Sequence, residues 1–274
     1  MNTQAIRLPA FAGRFYPLGN KALIAAIRSL EDPAPQHHTI FQDAVACLAP
    51  HAGYMYSGAV AYSVYSRLPA CQCYVVLGPN HLGRGQQLST LLSDWLTPLG
   101  AVTVDRTFTA SLLKASRVIA DDPLAHAQEH SLEVQLPFLQ YFSKDFTFVP
   151  ISIGAVSYTE LEELGQILAR LIQASSRRTM LVASSDMNHY EPDAATRVKD
   201  QKAIARILAL DPRGLAEVID REQISMCGYA PAIAMLTAAR ELGATKGELA
   251  KYATSADAGG DPAAVVGYAG IVIH

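Results

Sequence analysis

Three histidines stand within a few residues of the end of an apolar run. His51 follows the run VACLAP, His81 follows YVVLGPN, and His189 follows MLVASSDMN. Imidazole suits iron, copper and zinc as a ligand, and near neutral pH it also serves as a general acid or base. If the three runs are strands of one sheet, these side chains can share a crevice at the carboxyl edge of that sheet.

A cysteine stands at the start of a segment with helical periodicity. Cys227 precedes GYAPAIAM, and a thiol at a helix N-terminus is stabilised as the thiolate, which binds metals or acts as a nucleophile. We therefore predict that His51, His81 and Cys227 hold one transition-metal ion, with room left for a substrate or water. Cys71 and Cys73 resemble a ligand pair, but they flank the start of a strand, away from the carboxyl ends, so we interpret them as structural.

The elements that position these residues follow from the hydrophobic pattern. Short apolar runs alternate with segments of helical periodicity, which indicates βαβ units around a parallel sheet. Strands are predicted at residues 45–49, 74–77, 146–153, 180–183, 249–253 and 265–273, helices at 57–67, 129–142, 158–173, 194–210 and 228–242, and a hairpin within 88–104. We therefore predict an α/β fold over residues 1–274: a single three-layer domain with a mostly parallel central sheet and helices on both faces. One helix joins the strands of His51 and His81, so these strands are predicted to be neighbours.

Composition narrows the class of protein. Half of the 274 residues are hydrophobic, 17% are charged and the net charge is -3, which describes a globular chain without the basic surface of a nucleic-acid-binding protein. Four cysteines without paired spacing favour a reduced, cytoplasmic protein. The chain shows neither a signal peptide nor an apolar stretch near the roughly 20 residues of a membrane helix. We expect a small-molecule or peptide ligand. His37, His38 and His126 lie in Pro- or Asp-containing loops and are predicted to be solvated.

Five motifs in order resemble those of Memo-like proteins, in particular AmmeMemoRadiSam system protein B. They are PHAGY at 50–54, LGPNH at 77–81, EHSLEVQLPFL at 129–139, SSDMNHY at 184–190 and CGYAP at 227–231. The resemblance extends from FAGRFYP near the start to SADAGGDPAAVVGYAG near the end. It implies a fold similar to that of the class III extradiol dioxygenases, which use non-heme iron.

The resemblance also implies roles for single residues. His51 and His81 match the histidine ligands, Cys227 matches the thiolate ligand, and His189 matches a histidine of the same cleft. Asp186, in the motif of His189, is expected to accept a proton from a neighbouring imidazole and so to fix its tautomer. We assign proton handling to His189 and Asp186. The residues predicted to contact the substrate are Glu129 and His130, at the start of a predicted helix, and Tyr54, Tyr190 and Tyr229, which could stack on an aromatic ring.

Three functions fit these residues. The first is a metal-dependent, dioxygenase-like oxidoreductase, with iron expected first and copper or zinc as alternatives. Extradiol enzymes use two histidines and a carboxylate, whereas a thiolate takes the third place here, so ring cleavage does not transfer. The second is a binding or scaffold protein that uses the same cleft, and for it the resemblance implies AMMECR-domain and radical SAM proteins as partners. The third is covalent catalysis by Cys227, activated by His189 without a metal.

Overall fold

An open β-sheet with helices on both faces organises residues 6–32 and 39–274, which the computed structural model describes. The strands are β1 (Ala46–Ala49), β2 (Cys73–Pro79), β3 (Leu88–Thr90), β4 (Trp95–Thr97), β5 (Gly100–Val104), β6 (Ala120–Asp121), β7 (Thr147–Ile153), β8 (Thr179–Ser184), β9 (His189–Glu191), β10 (Gly247–Thr254) and β11 (Val265–Ile273). The α-helices are α1 (Asn20–Arg28), α2 (Tyr54–Tyr65), α3 (Arg106–Ala115), α4 (Pro123–His126), α5 (Leu136–Phe142), α6 (Tyr158–Gln173), α7 (Asp193–Leu208), α8 (Pro212–Glu222) and α9 (Tyr229–Glu241). Two short 3-10 helices cover Glu133–Gln135 and Ser255–Ala258.

The centre of the sheet is parallel, and in the strand order an antiparallel neighbour borders it on each side. The strand order is β10-β11-β1-β8-β2-β7-β3-β6, in which β1, β8, β2 and β7 run parallel to one another. β11 is antiparallel to β1, and β3 is antiparallel to β7. The α/β class is confirmed, and the predicted parallel sheet corresponds to the four central strands. Every residue of β2 is buried, because helices cover both faces at the centre.

Alternate residues of the central strands enter two separate cores. Ala46 and Leu48 of β1 belong to the core that packs against α6 and α9. Cys47 and Ala49 point the other way, into the core beneath α2 and α5. Cys71 and Cys73 also enter opposite cores, because Cys71 lies before β2 begins and is outside the alternation that places residues two apart on one face. Among the described residues, no helix combines the length and the apolar character that a bilayer span requires.

The predicted adjacency of the strands before His51 and His81 is wrong. β8 lies between β1 and β2 and pairs in parallel with both. Helix α2 therefore connects two strands that are not neighbours. The position between β1 and β2 is taken by β8, which comes much later in the chain. As a consequence, the end of β8 lies between the ends of β1 and β2, next to His51.

The helix predicted for residues 129–142 begins later than its periodicity suggests. A 3-10 turn covers Glu133–Gln135, α5 starts at Leu136, and Glu129 and His130 lie in the preceding loop. The Glu129 carboxylate accepts a hydrogen bond from the backbone N–H of Ser131. This local bond stabilises a loop conformation in place of a helical turn. The hairpin predicted within residues 88–104 is confirmed as β4 and β5.

The prediction that His126 is solvated is also wrong, whereas His37 and His38 lie outside the described residues. His126 ends α4, is fully buried and packs its ring edge-on against Trp95. Burial and the nearby Arg7 guanidinium lower its pKa from the ordinary value of 6.5 to about 4. The ring is therefore neutral in the folded chain at pH values where it would be protonated in the unfolded chain.

We expect His126→Met to remove an acid-labile contribution to stability. The folded chain binds this proton more weakly than the unfolded chain, so the contribution is complete above about pH 6.5 and is lost as the pH falls towards 4. A shift of this size corresponds to about 3 kcal/mol. Urea unfolding of both proteins from pH 7 to pH 4 should show the stability of the wild type declining relative to the variant. A difference that is constant with pH would contradict this assignment.

Candidate metal centre

The carboxyl ends of β1, β2 and β8 open into a cavity of about 600 Å³. Seven of the residues singled out in the sequence line this cleft: His51, His81, His130, Asp186, His189, Tyr190 and Cys227. Phe15, Ser225 and Val266 line it as well, and sequence reasoning missed them. Phe15 and Val266 had a signal, because they lie in the FAGRFYP and SADAGGDPAAVVGYAG segments at the two ends of the family resemblance. The polar side chains thus meet at the sheet edge that the sequence predicted.

The hydrogen bonds around His51 fix the tautomer of its ring. Nδ1 of His51 lies 2.8 Å from Oγ of Ser184, a side chain at the end of β8. The Ser184 hydroxyl donates its one hydrogen to the Ser131 carbonyl at 2.6 Å and accepts from Nε2 of Gln135 at 2.7 Å. Ser184 can therefore only accept from His51, so Nδ1 carries the ring hydrogen and Nε2 is left with its lone pair.

The buried side-chain amide of Gln135 has a fixed orientation, which keeps the hydrogen bonds around Ser184 from reversing their direction. Oε1 of Gln135 accepts from the Tyr65 hydroxyl at 2.7 Å, while Nε2 also donates to the Pro50 carbonyl at 3.0 Å. These partners allow one orientation of the amide. His51 itself is buried, and both burial and the nearby His81 lower its pKa well below the ordinary range. The ring is therefore neutral at pH 7, in the form that binds a metal ion.

Glu129 sets the tautomer of His81 in the same way. Its Oε1 accepts from Nδ1 of His81 at 2.9 Å, and its Oε2 accepts from the backbone N–H of His81 at 2.7 Å. Burial raises the pKa of Glu129, but the hydrogen bond and charge of His81 outweigh burial and lower it to about 2. An ionised carboxylate only accepts, so Nε2 of His81 is left for the cleft. A Cβ at Gly78 would lie 2.5 Å from Oγ of Ser131, so this glycine lets the loop of Glu129 approach β2.

His130 joins the two predicted ligands. Its ring stacks on His81 with centroids 4.5 Å apart and lies 5.3 Å from the ring of His51. One ring nitrogen from each of the three histidines lies within 4.8 Å of the others. Burial and the neighbouring His51 lower the pKa of His130 to about 3. Sequence reasoning placed His130 in the cleft as a substrate contact, but it did not group it with the ligands, because no strand ends next to it.

Cys227 lies against His51. Its Sγ is 3.2 Å from Nε2 of His51, and a Cβ at Gly228 would lie 2.3 Å from the Ser184 carbonyl oxygen, so Gly228 lets this turn reach the end of β8. Burial and the charge of Asp186 raise the pKa of the thiol, so the helix N-terminus does not by itself stabilise the thiolate as predicted. The imidazole in contact with the thiol is that of His51, which corrects the expectation that His189 activates it.

Asp186 and His189 have partners other than those predicted. Oδ1 of Asp186 accepts from the backbone N–H of His51 at 2.8 Å, so Asp186 fixes the turn of His51 rather than the tautomer of an imidazole. Ser184 and Glu129 take that tautomer role instead. Nδ1 of His189 donates to the Ser225 carbonyl at 2.9 Å, which leaves Nε2 of His189 without this hydrogen.

The predicted substrate contacts separate into two groups. His130 and Tyr190 line the cleft, whereas Glu129 lies buried behind His81. Tyr54 lies in the core, where its hydroxyl donates to the Val134 carbonyl at 2.7 Å and its ring packs on Phe138. Tyr229, at the start of α9, is partly exposed and is not among the residues that line the cleft.

The N-terminal segment (residues 7–16) forms one wall of the cleft. Glu133 accepts from the Arg7 guanidinium at 2.5 Å, from the backbone N–H groups of Ala10 and Phe11, and from the Tyr16 hydroxyl. Arg7 also donates to the carbonyls of His126 and Glu129. The rings of Phe11 and Phe15 then lie 5.2 and 4.8 Å from His130. This segment therefore supports the loop that carries Glu129 and His130.

The donor set fits a transition-metal ion. Two imidazoles have their Nδ1 hydrogens committed to buried acceptors, and a third imidazole and a thiol lie beside them. Nitrogen and sulfur donors of this kind favour iron, copper or zinc over magnesium or calcium, and buried partners behind the histidines are typical of metal sites.

The chain is similar over nearly its whole length to known proteins. A family model described as Memo-like protein matches residues 7–272. A MEMO1 family protein of Methanosarcina barkeri is 41% identical over 270 residues, which cover 98% of this chain and 100% of the relative. A MEMO1 family protein of Methanopyrus kandleri is 42% identical over 279 residues, with 98% and 99% covered. The crystal structure of an uncharacterized protein from Escherichia coli K12 shares the fold, with a TM-score of 0.54 at 15% identity over 83% of this chain and 98% of that one. These similarities confirm the resemblance of the five motifs: the chain belongs to the Memo-like protein family.

Proposed function

We propose that this protein binds one transition-metal ion through His51, His81 and Cys227 and acts as an oxidoreductase, with iron expected first and copper or zinc as alternatives. The observation that supports the metal site is the pair of fixed tautomers. Ser184 and Glu129 each accept the Nδ1 hydrogen of one histidine, so both Nε2 lone pairs are available to the same cleft. Because both rings are already oriented, less conformational entropy is lost when the ligands assemble around the metal.

Cys227 is the proposed third ligand because its sulfur already contacts Nε2 of His51. A thiolate donor favours iron, copper and zinc over harder cations, and it would balance part of the metal's charge in a site whose other donors are imidazoles. His130 is the competing third donor, since one of its ring nitrogens lies within 4.8 Å of the other two histidines. The pair of His51 and His81 is common to both sets.

The remaining residues of the cleft bind and orient a ligand and handle its protons. A bound iron or copper ion would supply Lewis acidity and one-electron redox chemistry. Nε2 of His189 is free to accept or donate a proton, because Nδ1 of the same ring is held by the Ser225 carbonyl. The carboxylate of Asp186 faces the same cleft, and Phe15 and Val266 supply apolar surface that excludes water around a ligand.

Metal analysis of protein purified without chelator tests this function. We expect about one equivalent of metal in the native protein and a loss of at least about tenfold in His51→Ala and Cys227→Ser. His126→Met is the matched control, because this buried histidine lies outside the cleft and its replacement should leave the metal content unchanged. Full metal content in Cys227→Ser with loss in His130→Ala would assign the third place to His130. Equal metal content in all proteins would refute the site.

The contact between Cys227 and His51 favours a second function, covalent catalysis by the thiol with His51 as its base. The hydrogen bond from Nδ1 of His51 to Ser184 orients the ring for this role as well. The same analysis separates the two functions. A native protein without bound metal would favour the nucleophile, and stoichiometric metal would favour the metal centre.

A further inference from the structure

Tyr190 has an unusual backbone conformation for a residue in a strand. Its φ is 60°, in the left-handed region that a side chain with a Cβ rarely adopts. The other non-glycine residues with positive φ in the described chain are Asp145, Leu210 and Gln223, and all three lie outside strands. Tyrosine has none of the local hydrogen bonding that helps asparagine or aspartate tolerate this region.

A β-bulge places Tyr190 in this conformation. β9 pairs with β11 so that Glu191 is opposite Val265 and His189 is opposite Val266. Successive residues of β11 thus face residues two apart on β9, and Tyr190 is the extra residue between them. Bulges of this kind are frequent next to functional sites, where they change the direction of a side chain.

The bulge brings two consecutive side chains into the cleft. In a regular strand, His189 and Tyr190 would point to opposite faces of the sheet. Here both line the cleft, and their ring centroids lie 5.6 Å apart. The tyrosine gains little from the protein in return, because 77% of it is exposed. The fold therefore holds an aromatic ring over the cleft at a conformational cost that its own packing does not offset.

The cleft that Tyr190 overlooks is lined both by polar, metal-binding groups and by apolar groups. His51, His81 and Cys227 lie at the ends of buried elements, whereas Phe15, Tyr190 and Val266 contribute rings or methyl groups. This distribution suits a ligand with a metal-binding polar head and a flat apolar body. Aromatic rings stack on such a body with a gain beyond simple burial.

We propose that Tyr190 is a specificity-determining residue that selects ligands with a planar aromatic body joined to a metal-binding head. This inference rests on the proposed metal site. The strained bulge is retained for ligand binding rather than for folding, so relaxing the backbone should separate stability from selectivity. Tyr190→Gly removes both the ring and the strain, whereas Tyr190→Phe keeps the ring in the bulge.

The test uses zinc-loaded protein and two probes with the same chelating head, benzohydroxamate and acetohydroxamate. We expect wild-type protein and Tyr190→Phe to prefer benzohydroxamate, and we expect Tyr190→Gly to lose about fivefold of that preference. Affinity for acetohydroxamate should not change in either variant, because the metal ligands are intact. The thermal midpoint of Tyr190→Gly should equal or exceed that of the wild type, since glycine adopts positive φ at no steric cost.

Each other outcome would contradict the proposal, and each would identify which part of it is wrong. Wild-type protein that binds both hydroxamates without an aromatic preference would overturn the role of Tyr190 and leave the metal site intact. An unchanged preference in Tyr190→Gly would do the same. A lower midpoint together with weaker binding of both probes would make Tyr190 a structural residue. Failure of both probes to bind zinc-loaded wild type would overturn the metal site and, with it, this inference.

Discussion

Glu133→Ala is expected to lower the free energy of unfolding by about 3–5 kcal/mol, because it leaves the buried guanidinium of Arg7 without its counter-charge. The side chains of Arg7 and Glu133 are 5% and 1% exposed. The substitution also removes the acceptor for the N–H groups of Ala10 and Phe11 and for the Tyr16 hydroxyl. Unpartnered buried donors add their own desolvation cost to that of the charge.

Urea unfolding measures this loss, and two further variants identify its cause. Glu248→Ala breaks the partly exposed pair that Glu248 forms with Arg67, and it should cost much less. The double variant Arg7→Met with Glu133→Leu removes both charges, so it should recover part of the stability that Glu133→Ala loses. A double variant no more stable than the single one would show that the backbone contacts of Glu133, rather than the buried charge, dominate.

Glu129→Gln is expected to weaken metal binding by about 10–100-fold while leaving every proposed ligand in place. The carboxylate accepts three hydrogen bonds, from Nδ1 and the backbone N–H of His81 and from the backbone N–H of Ser131. An amide of the same shape has one acceptor oxygen, so one of these donors would face the amide NH₂ group. With its oxygen on Nδ1 of His81, the amide would turn its NH₂ group to the backbone N–H of His81, and the loss of the negative charge would lower the basicity of the ring.

Competition titration with a zinc chelator measures the affinity directly. Glu160→Gln is the matched control, because Glu160 is a partly exposed carboxylate that caps the start of α6, away from the residues that line the cleft, and its replacement should leave the affinity unchanged. Circular dichroism checks that Glu129→Gln remains folded. Wild-type affinity in a folded Glu129→Gln would show that Glu129 supports the loop without influencing the metal site.

The sequence predicted the fold class, most of the long elements and the edge of the sheet where the site lies. Fully buried strands such as β2 read as continuous apolar runs, and helix α6 was predicted over the residues that form it. The helices α1, α3 and α8 were not predicted, although apolar residues recur in them at helical spacing, whereas the two-residue strand β6 is too short to show a period. The division into a single domain over residues 1–274 stays a prediction.

The location of His51, His81, His189 and Cys227 in one cleft could be predicted from the sequence alone, because each stands next to the end of an element or in a family motif. The tertiary structure alone decided what each of them can do. Ser184, which fixes the tautomer of His51, is 133 positions away in the chain, and it reaches His51 only because β8 pairs with β1. The position of Glu129 behind His81 and the burial of Tyr54 in the core have the same origin. Hydrophobic periodicity reports which residues are buried locally, whereas strand order and hydrogen-bond partners depend on contacts between distant segments, which no local pattern encodes.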